Sequence, residues 1–393
     1  MLAKIFFRIL FIIFLVVLAV LAYDFLPELL NWLGRIKIGR VTENKEWLDK
    51  VRAVTLSWAS KGAPTVPKNE NQRLKLVNEI KNRKAVSPIC YWQDAAVLKA
   101  LTDKTGIETK ESIEDFLDRY IDENSGDWRK KPEKVDAAIL AYEMLSNKYI
   151  DNNFIEPAMI TVAQMLKDNY DKNGYIPYNA GLSKVCFVDT IGMVCPFLIK
   201  YAVVYQKAEF VNIAVRQIGQ YFKLGFDEKT KLPYHCFDTE TQARLGICGW
   251  GRGCGWWAVG ITDSLKEIMN LDGFNKEKAL LLKLSVSFFD NFEKYICENG
   301  AVNRMVLNNS LQDSSASAMI AYCYAYMFTL TNKKIYFDNA ERILRYLKSA
   351  TRRNGVIDYS QGDTMGIGYY SPNLSVVPAA QGFAVAAADI IYK

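Results

Sequence analysis

A chain of 393 residues, half of them hydrophobic and 13% aromatic, can bury one large core, and its single histidine argues against a zinc site of ordinary ligand spacing. The formal charge of +6 is unevenly spread: the first 40 residues hold Lys4, Arg8, Arg35, Lys37 and Arg40 against Asp24 and Glu28, a balance of +3. The other +3 is diluted over some 350 residues, which leaves no footprint for nucleic acid.

Ile9 to Ala22 (ILFIIFLVVLAVLA) is an unbroken apolar run, and Ile5 to Phe7 extend it toward the length of a membrane span. Two readings compete: an uncleaved anchor with Arg8 snorkelling, and a signal peptide cut after Ala22. Phe25, Leu26, Leu29, Leu30, Trp32 and Leu33 then suit an interfacial helix. Residues 1–40 are accordingly read as membrane anchor or signal segment, and residues 41–393 as one domain. Lys4 and Arg8 put the N-terminus in the cytoplasm and the domain outside it, secreted if the segment is cleaved, although Arg35, Lys37 and Arg40 oppose that orientation.

Beyond Arg40 a repeated helical hairpin is predicted. LTDKTGIETKESIEDFLDRYI, LSNKYIDNNFIEPAMITVAQML, YQKAEFVNIAVRQIGQYF, MNLDGFNKEKALLLKLSVSFF and LTNKKIYFDNAERILRYL each read alike. An apolar helix end meets a short polar turn, and an amphipathic helix follows with apolar residues at i, i+3, i+4 and i+7. The helices before the turns (YWQDAAVLKAL, VDAAILAYEML, VDTIGMVCPFLIKYA, GWWAVGITDSL, SSASAMIAYCYAY) are rich in Ala, Gly, Ser and aromatics and poor in charge, so they are buried on most sides. Small-residue inner helices alternating with amphipathic outer ones, about a dozen in all, predict an all-α (α/α)6 toroid. Unequal repeats and long inserts argue against an open solenoid. There are eight cysteines, none in a C-x-x-C pair, and several fall in apolar helical stretches, where buried free thiols compete with disulfides as the reading.

In such a ring, polar residues at the heads of inner helices line a central cavity. Asp136 (KPEKVDAAILAYEML) and Asp189 (CFVDTIGMVCPFLIKY) stand against apolar background at equivalent places on successive inner elements. Asp189 could be a helix cap, and Asp136 a first-turn acid that favours the helix dipole. Asp189 could instead be a carboxylic acid whose pKa an apolar surround raises, and two carboxylates on one cavity are the usual equipment for glycoside chemistry. His235, in KLPYHCFDTET, is either structural or ligand-facing. GWGRGCGWWAVG adds Arg252, whose planar fork fits a carboxylate, and Trp250, Trp256 and Trp257, whose flat faces suit the C–H face of a sugar; Trp92 joins them. Its glycines would let backbone approach a ligand, or else only tighten helix packing.

At these residues the chain resembles the unsaturated glucuronyl and rhamnogalacturonyl hydrolases, glycoside hydrolase families 88 and 105. WGRGCGW is similar to their W-[GA]-R-G-[NA]-G-W segment, and VDTIGMVCPFL to [LV]-D-T-x-x-M-x-x-P-F-L, whose aspartate, the general acid/base, maps onto Asp189. VDAAILAYEML resembles the helix of their second aspartate, mapping onto Asp136, and YHCFD resembles a Y-H-x-[WFY]-D turn, mapping onto His235 and Asp238. DSSASAMIAYCYAY and AAQGFAVAAADI resemble the later inner helices. Cys254 departs from the family's Asn or Ala, the turn between His235 and Gly249 is short, and a transmembrane start is not a general family feature.

The resemblance implies a glycoside hydrolase that hydrates the double bond of a terminal 4,5-unsaturated uronic acid on an oligosaccharide, with no metal and no cofactor. Asp189 and Asp136 would be catalytic, and Arg252, Trp250, His235, Trp256 and Trp92 substrate-binding. Other classes remain open on the residues alone: a lyase or epimerase, with His235 and a tyrosine such as Tyr234 as base, or a non-catalytic glycan binder. Each would act in cell-surface polysaccharide metabolism.

Overall fold

A computed structural model describes residues 2–67, 75–81, 86–87, 91–102, 106–171 and 174–392. The chain begins with α1 (Leu2–Arg35) and α2 (Asn44–Lys61). Next come β1 (Val66–Pro67), α3 (Lys75–Ile80), β2 (Val86–Ser87), α4 (Tyr91–Lys99), α5 (Ile107–Asp118), α6 (Ala137–Ser146) and α7 (Glu156–Asp168). The middle of the chain holds β3 (Val185–Phe187), α8 (Val188–Tyr205), α9 (Glu209–Leu224), β4 (Tyr234–Asp238), β5 (Arg244–Cys248), α10 (Gly251–Ile268) and α11 (Asn275–Phe292). It ends with α12 (Ser314–Thr331), α13 (Lys334–Ser349), β6 (Ser360–Gln361), β7 (Leu374–Ser375) and α14 (Pro378–Ile391).

The (α/α)6 toroid is present. Inner helices α4, α6, α8, α10, α12 and α14 pack each on the next, and α14 returns to α4, so the ring closes. The closing seam needs a bare backbone: a Cβ on Gly382 of α14 would lie 1.8 Å from the Ala96 carbonyl oxygen of α4. Outer helices α2, α5, α7, α9, α11 and α13 bury single stripes. In α13 the stripe is Tyr336, Ala340, Ile343, Leu344 and Leu347, spaced three and four apart. Its large members each contribute about 1.5–3 kcal/mol of burial. Inner α10 and α12 are buried on almost every side, as their small and aromatic residues require. Asp313 caps α12 by accepting the Ser315 N–H at 2.9 Å.

Two features depart from the sequence reading. YHCFD is not a turn but strand β4, the middle of an antiparallel sheet ordered β3-β4-β5, with Phe187 opposite Cys236. Its hairpin turn follows, where Asp238 Oδ1 accepts the N–H groups of Glu240 and Thr241 at 2.9 and 2.7 Å.

The second departure concerns the boundary at residue 40. Side chains from Ala3 to Ala19 are exposed, as a bilayer-facing helix would be. From Asp24 onward, α1 and its tail are tied to the toroid. Asp24 Oδ1 accepts the Leu76 N–H at 2.9 Å, Arg35 meets both oxygens of Asp358 at 2.9 Å, and the Gly39 N–H reaches Thr351 O at 2.8 Å. A second long apolar helix, α8, is an inner helix of the ring and is mostly buried. The seven described cysteines are unpaired thiols; Cys90 lies outside the described residues.

Candidate active site

The small sheet assembles the site. Strand β3 runs directly into α8, so Asp189 falls in that helix's first turn. Neighbouring β4 carries His235, and β5 leads through Gly249 to Trp250, the residue before α10, with Arg252 in the first turn. Two helix heads and one strand thus deliver Asp189, His235, Trp250 and Arg252 to one cavity of about 180 Å³. Trp92 and Trp256 form another wall, edge to face with centroids 5.7 Å apart. The loop after β6 closes the remaining side with Asp363, Thr364, Met365 and Gly366.

Asp189 does not cap α8, and Asp136 sits just ahead of the first turn of α6 rather than in it. Phe187 occupies the cap position of α8, and no side chain caps that helix. Asp136 does occupy the cap position of α6 but makes no side-chain capping bond. Asp189 Oδ2 lies 3.4 Å from His235 Nε2 and has no hydrogen-bond partner. Asp136 is only 1% exposed; its Oδ1 has no partner, and the Tyr91 N–H is a backbone donor to its carboxyl. Burial pushes the Asp136 carboxyl up to about 6. Lys134 and the backbone N–H groups pull against that rise, and Asp363 on the cavity wall adds to it. Asp136 is not among the residues that line the cavity, but it is near enough to the lining residue Asp363 for that charge to raise its carboxyl.

His235 is held from its far side. The Tyr370 hydroxyl accepts the Ile247 N–H at 3.0 Å and lies 3.0 Å from His235 Nδ1. Burial keeps that phenol well above its ordinary pKa, so its proton is available to donate. On the other side of the ring Nε2 faces Asp189. Tyr370 and Trp250 also flank the ring, with centroids 5.4 and 4.7 Å away.

Arg252 lies between the rings of Trp92 and Trp250, 5.6 and 5.4 Å from their centroids. It donates to Gln361 O at 2.7 Å, to Gly362 O at 2.8 Å and to the Thr364 hydroxyl at 3.3 Å. Nη1 and Nη2 both hold the loop. Trp250 also holds the loop, donating from Nε1 to Gln361 Oε1 at 2.9 Å.

The glycines of the α10 head serve packing, not a ligand. A Cβ on Gly251 would lie 2.3 Å from Asn303 O, on Gly255 3.0 Å from Met319 Sδ, and on Gly260 2.6 Å from Ile191 O. Trp257 is core, against Tyr221, Phe222 and Phe226. Sequence reasoning missed Tyr370, Asp363 and Thr364. Their signal was the insert QGDTMGIGYYSPN, dense in glycine and tyrosine between two helical patterns.

The model of the family described as Glycosyl Hydrolase Family 88 matches residues 58–388. The chain belongs to glycosyl hydrolase family 88, and it is a glycoside hydrolase. Solved structures share the fold. A possible member of family 105 from Salmonella enterica serovar Paratyphi A is 19% identical with a TM-score of 0.71, over 89% of this chain and 93% of that one. An unsaturated glucuronyl hydrolase specific for heparin is 17% identical with a TM-score of 0.64, over 88% and 97%. The unsaturated glucuronyl hydrolase of Bacillus sp. GL1 is 16% identical with a TM-score of 0.62, over 88% and 96%. No curated protein sequence matches the chain.

Proposed function

We propose that this glycoside hydrolase removes a terminal 4,5-unsaturated uronic acid from an oligosaccharide by hydrating its double bond. The observation that carries the reading is a carboxyl group, that of Asp189, lining a tryptophan-walled cavity with an unpartnered oxygen beside His235; as the acid it holds the proton the step needs. Asp189 gives its proton to C4. The C4–H bond forms, and the π electrons leave C5 as an oxocarbenium shared with the ring oxygen. Water adds at C5 as the carboxylate of Asp189 takes back a proton. The hemiketal opens its C5–O bond to a ketone, and the hemiacetal exposed at C1 releases the next sugar. One water is consumed, and no electron changes hands.

Trp92, Trp250 and Trp256 offer apolar faces to the rings, and Arg252 meets the uronate carboxylate. Asp136, with its carboxyl near 6, supplies the second negative charge close to the site. Turnover in heavy water tests the chemistry. Deuterium at C4 of the keto product and loss of the conjugated ultraviolet absorbance are expected. An unlabelled C4 at full turnover overturns hydration, new absorbance marks a lyase, and binding without turnover marks a glycan-binding protein.

We also infer that the apolar segment Ala3–Leu26 holds the domain at a membrane with its catalytic side extracytoplasmic. Pairing with buried Asp358 neutralises Arg35, one of the three cations that oppose this orientation.

A further inference from the structure

The second half of α1 carries contacts that a membrane tether does not need. Asp24, Asn31 and Arg35, spaced seven and four apart, share one helical face. That face is docked. Asp24 takes the Leu76 N–H, Asn31 takes a bond from Arg352, and Arg35 reaches Asp358. The helix surface is bare where Arg352 passes: a Cβ on Gly34 would lie 2.8 Å from its Nη1.

Arg35 is placed at the base of the loop that lines the cavity. Strands β6 and β7 pair antiparallel, Gln361 with Leu374, and residues 362–373 form the loop between them. Arg35 Nε and Nη2 donate to the two oxygens of Asp358, two residues before β6, each at 2.9 Å. The same Nη2 donates to Leu374 O of β7 at 2.8 Å. One guanidinium therefore grips the chain on both sides of the loop, and its Cζ lies 4.8 Å from the centroid of the Tyr359 ring. The Asp358 side chain is fully buried and also receives Arg352 Nε at 2.7 Å. The gripped loop supplies the Gln361 and Gly362 carbonyls that hold Arg252, the cavity-lining Asp363 to Gly366, and Tyr370 behind His235.

We infer that Arg35 is a positioning residue of the active site, clamping both ends of the 362–373 loop, and that residues from about 23 onward belong to the catalytic unit. These ties all lie beyond Ala22, so loss of the apolar segment at that point would leave the clamp in place. The kinetic part of the inference rests on reading the cavity as the substrate site.

The test uses the full-length protein in detergent micelles, with Arg35→Ala, Arg35→Lys and, as control on the undocked part of α1, Arg8→Ala. Hydrogen exchange followed by mass spectrometry reads the clamp without any substrate. Amides of residues 360–375 should exchange about tenfold faster in Arg35→Ala, with α2 and α14 unchanged. Arg35→Lys keeps a charge for Asp358 but cannot span to Leu374 O, so its acceleration should concentrate near residues 372–375. Arg8→Ala should match the parent. On an unsaturated disaccharide, KM should rise about tenfold in Arg35→Ala while kcat changes less. Parent-like exchange at 360–375, or acceleration spread evenly over the ring, overturns the clamp. Absence of turnover in every variant, the parent included, counts against the proposed reaction alone, and exchange still decides the clamp.

Discussion

Replacing Asp136 by asparagine should make the protein more stable at neutral pH while removing most of its activity. Asp136 is buried, one carboxylate oxygen has no partner, and burial moves its carboxyl from 3.8 to about 6. In the unfolded chain the same group titrates near its ordinary value. The folded state therefore holds more protons between the two values, and the stability this group contributes falls as pH rises through that window. Full ionisation costs about 3 kcal/mol relative to low pH, of which about 2 kcal/mol develops between pH 4.5 and 8. Asparagine has no such dependence. The stability difference, variant minus parent, should thus grow by about 2 kcal/mol from pH 4.5 to pH 8. Urea denaturation in micelles at the two pH values measures it. The constant cost of burying an amide cancels in the comparison. A difference that stays level with pH, or reverses, would show that Asp136 is not a strained buried carboxylate and would remove the reason for assigning it to the reaction.

Asp189→Asn should lower kcat by roughly two to four orders of magnitude with thermal stability almost unchanged, since no cap is lost. Tyr370→Phe removes the hydroxyl that pairs with His235 Nδ1 and should cost about tenfold in kcat, with KM little affected, when assayed on an unsaturated disaccharide. Arg252→Lys should do two things: raise KM at least about tenfold, and destabilise the fold by about 2–4 kcal/mol, because the Gln361 and Gly362 carbonyls lose a charged donor pair. Unaltered melting with altered KM would mean that the loop does not depend on Arg252. Protease added to intact spheroplasts should digest the domain; digestion only after lysis would reverse the orientation.

The ring was legible because its two helix types obey different burial rules. An inner helix such as α12 is enclosed all round and so is written in Ala, Ser, Met and Tyr; an outer helix such as α13 shows one apolar stripe. Asp189, Arg252 and Trp250 were legible because they interrupt or head such helices. Their sorting by role was less so. Trp256 and Trp257 are adjacent, yet about 100° of helical rotation sends one to the cavity and the other to the outer layer. Tyr370 lies 135 residues from His235, on a loop without periodicity. That contact exists only once the ring has closed, and nothing local in the sequence encodes it.

The ring buries charge at both of its ends. Toward the C-terminal ends of the inner helices, Lys99 Nζ lies 2.8 Å from Glu143 and 3.0 Å from Asp263, and Tyr322 donates to Asp263 at 2.5 Å. Tyr142 and Lys200 both reach Glu267 at 3.1 Å. Burial pushes Glu143 up to about 7 even against the pull of Lys99, yet each of these carboxylates meets a donor. Such a network adds little net stability, but it fixes how five inner helices sit against one another. At the opposite end Asp136 and Asp189 each keep a buried oxygen with no partner. Asp94 and Asp313 at the heads of α4 and α12 also keep one such oxygen, but those two and Asp136 each have a donor on the carboxyl; Asp189 is the one of the four that lines the cavity, where an unpartnered oxygen is a retained cost. A substrate that needs a proton at C4 gives that cost a reason.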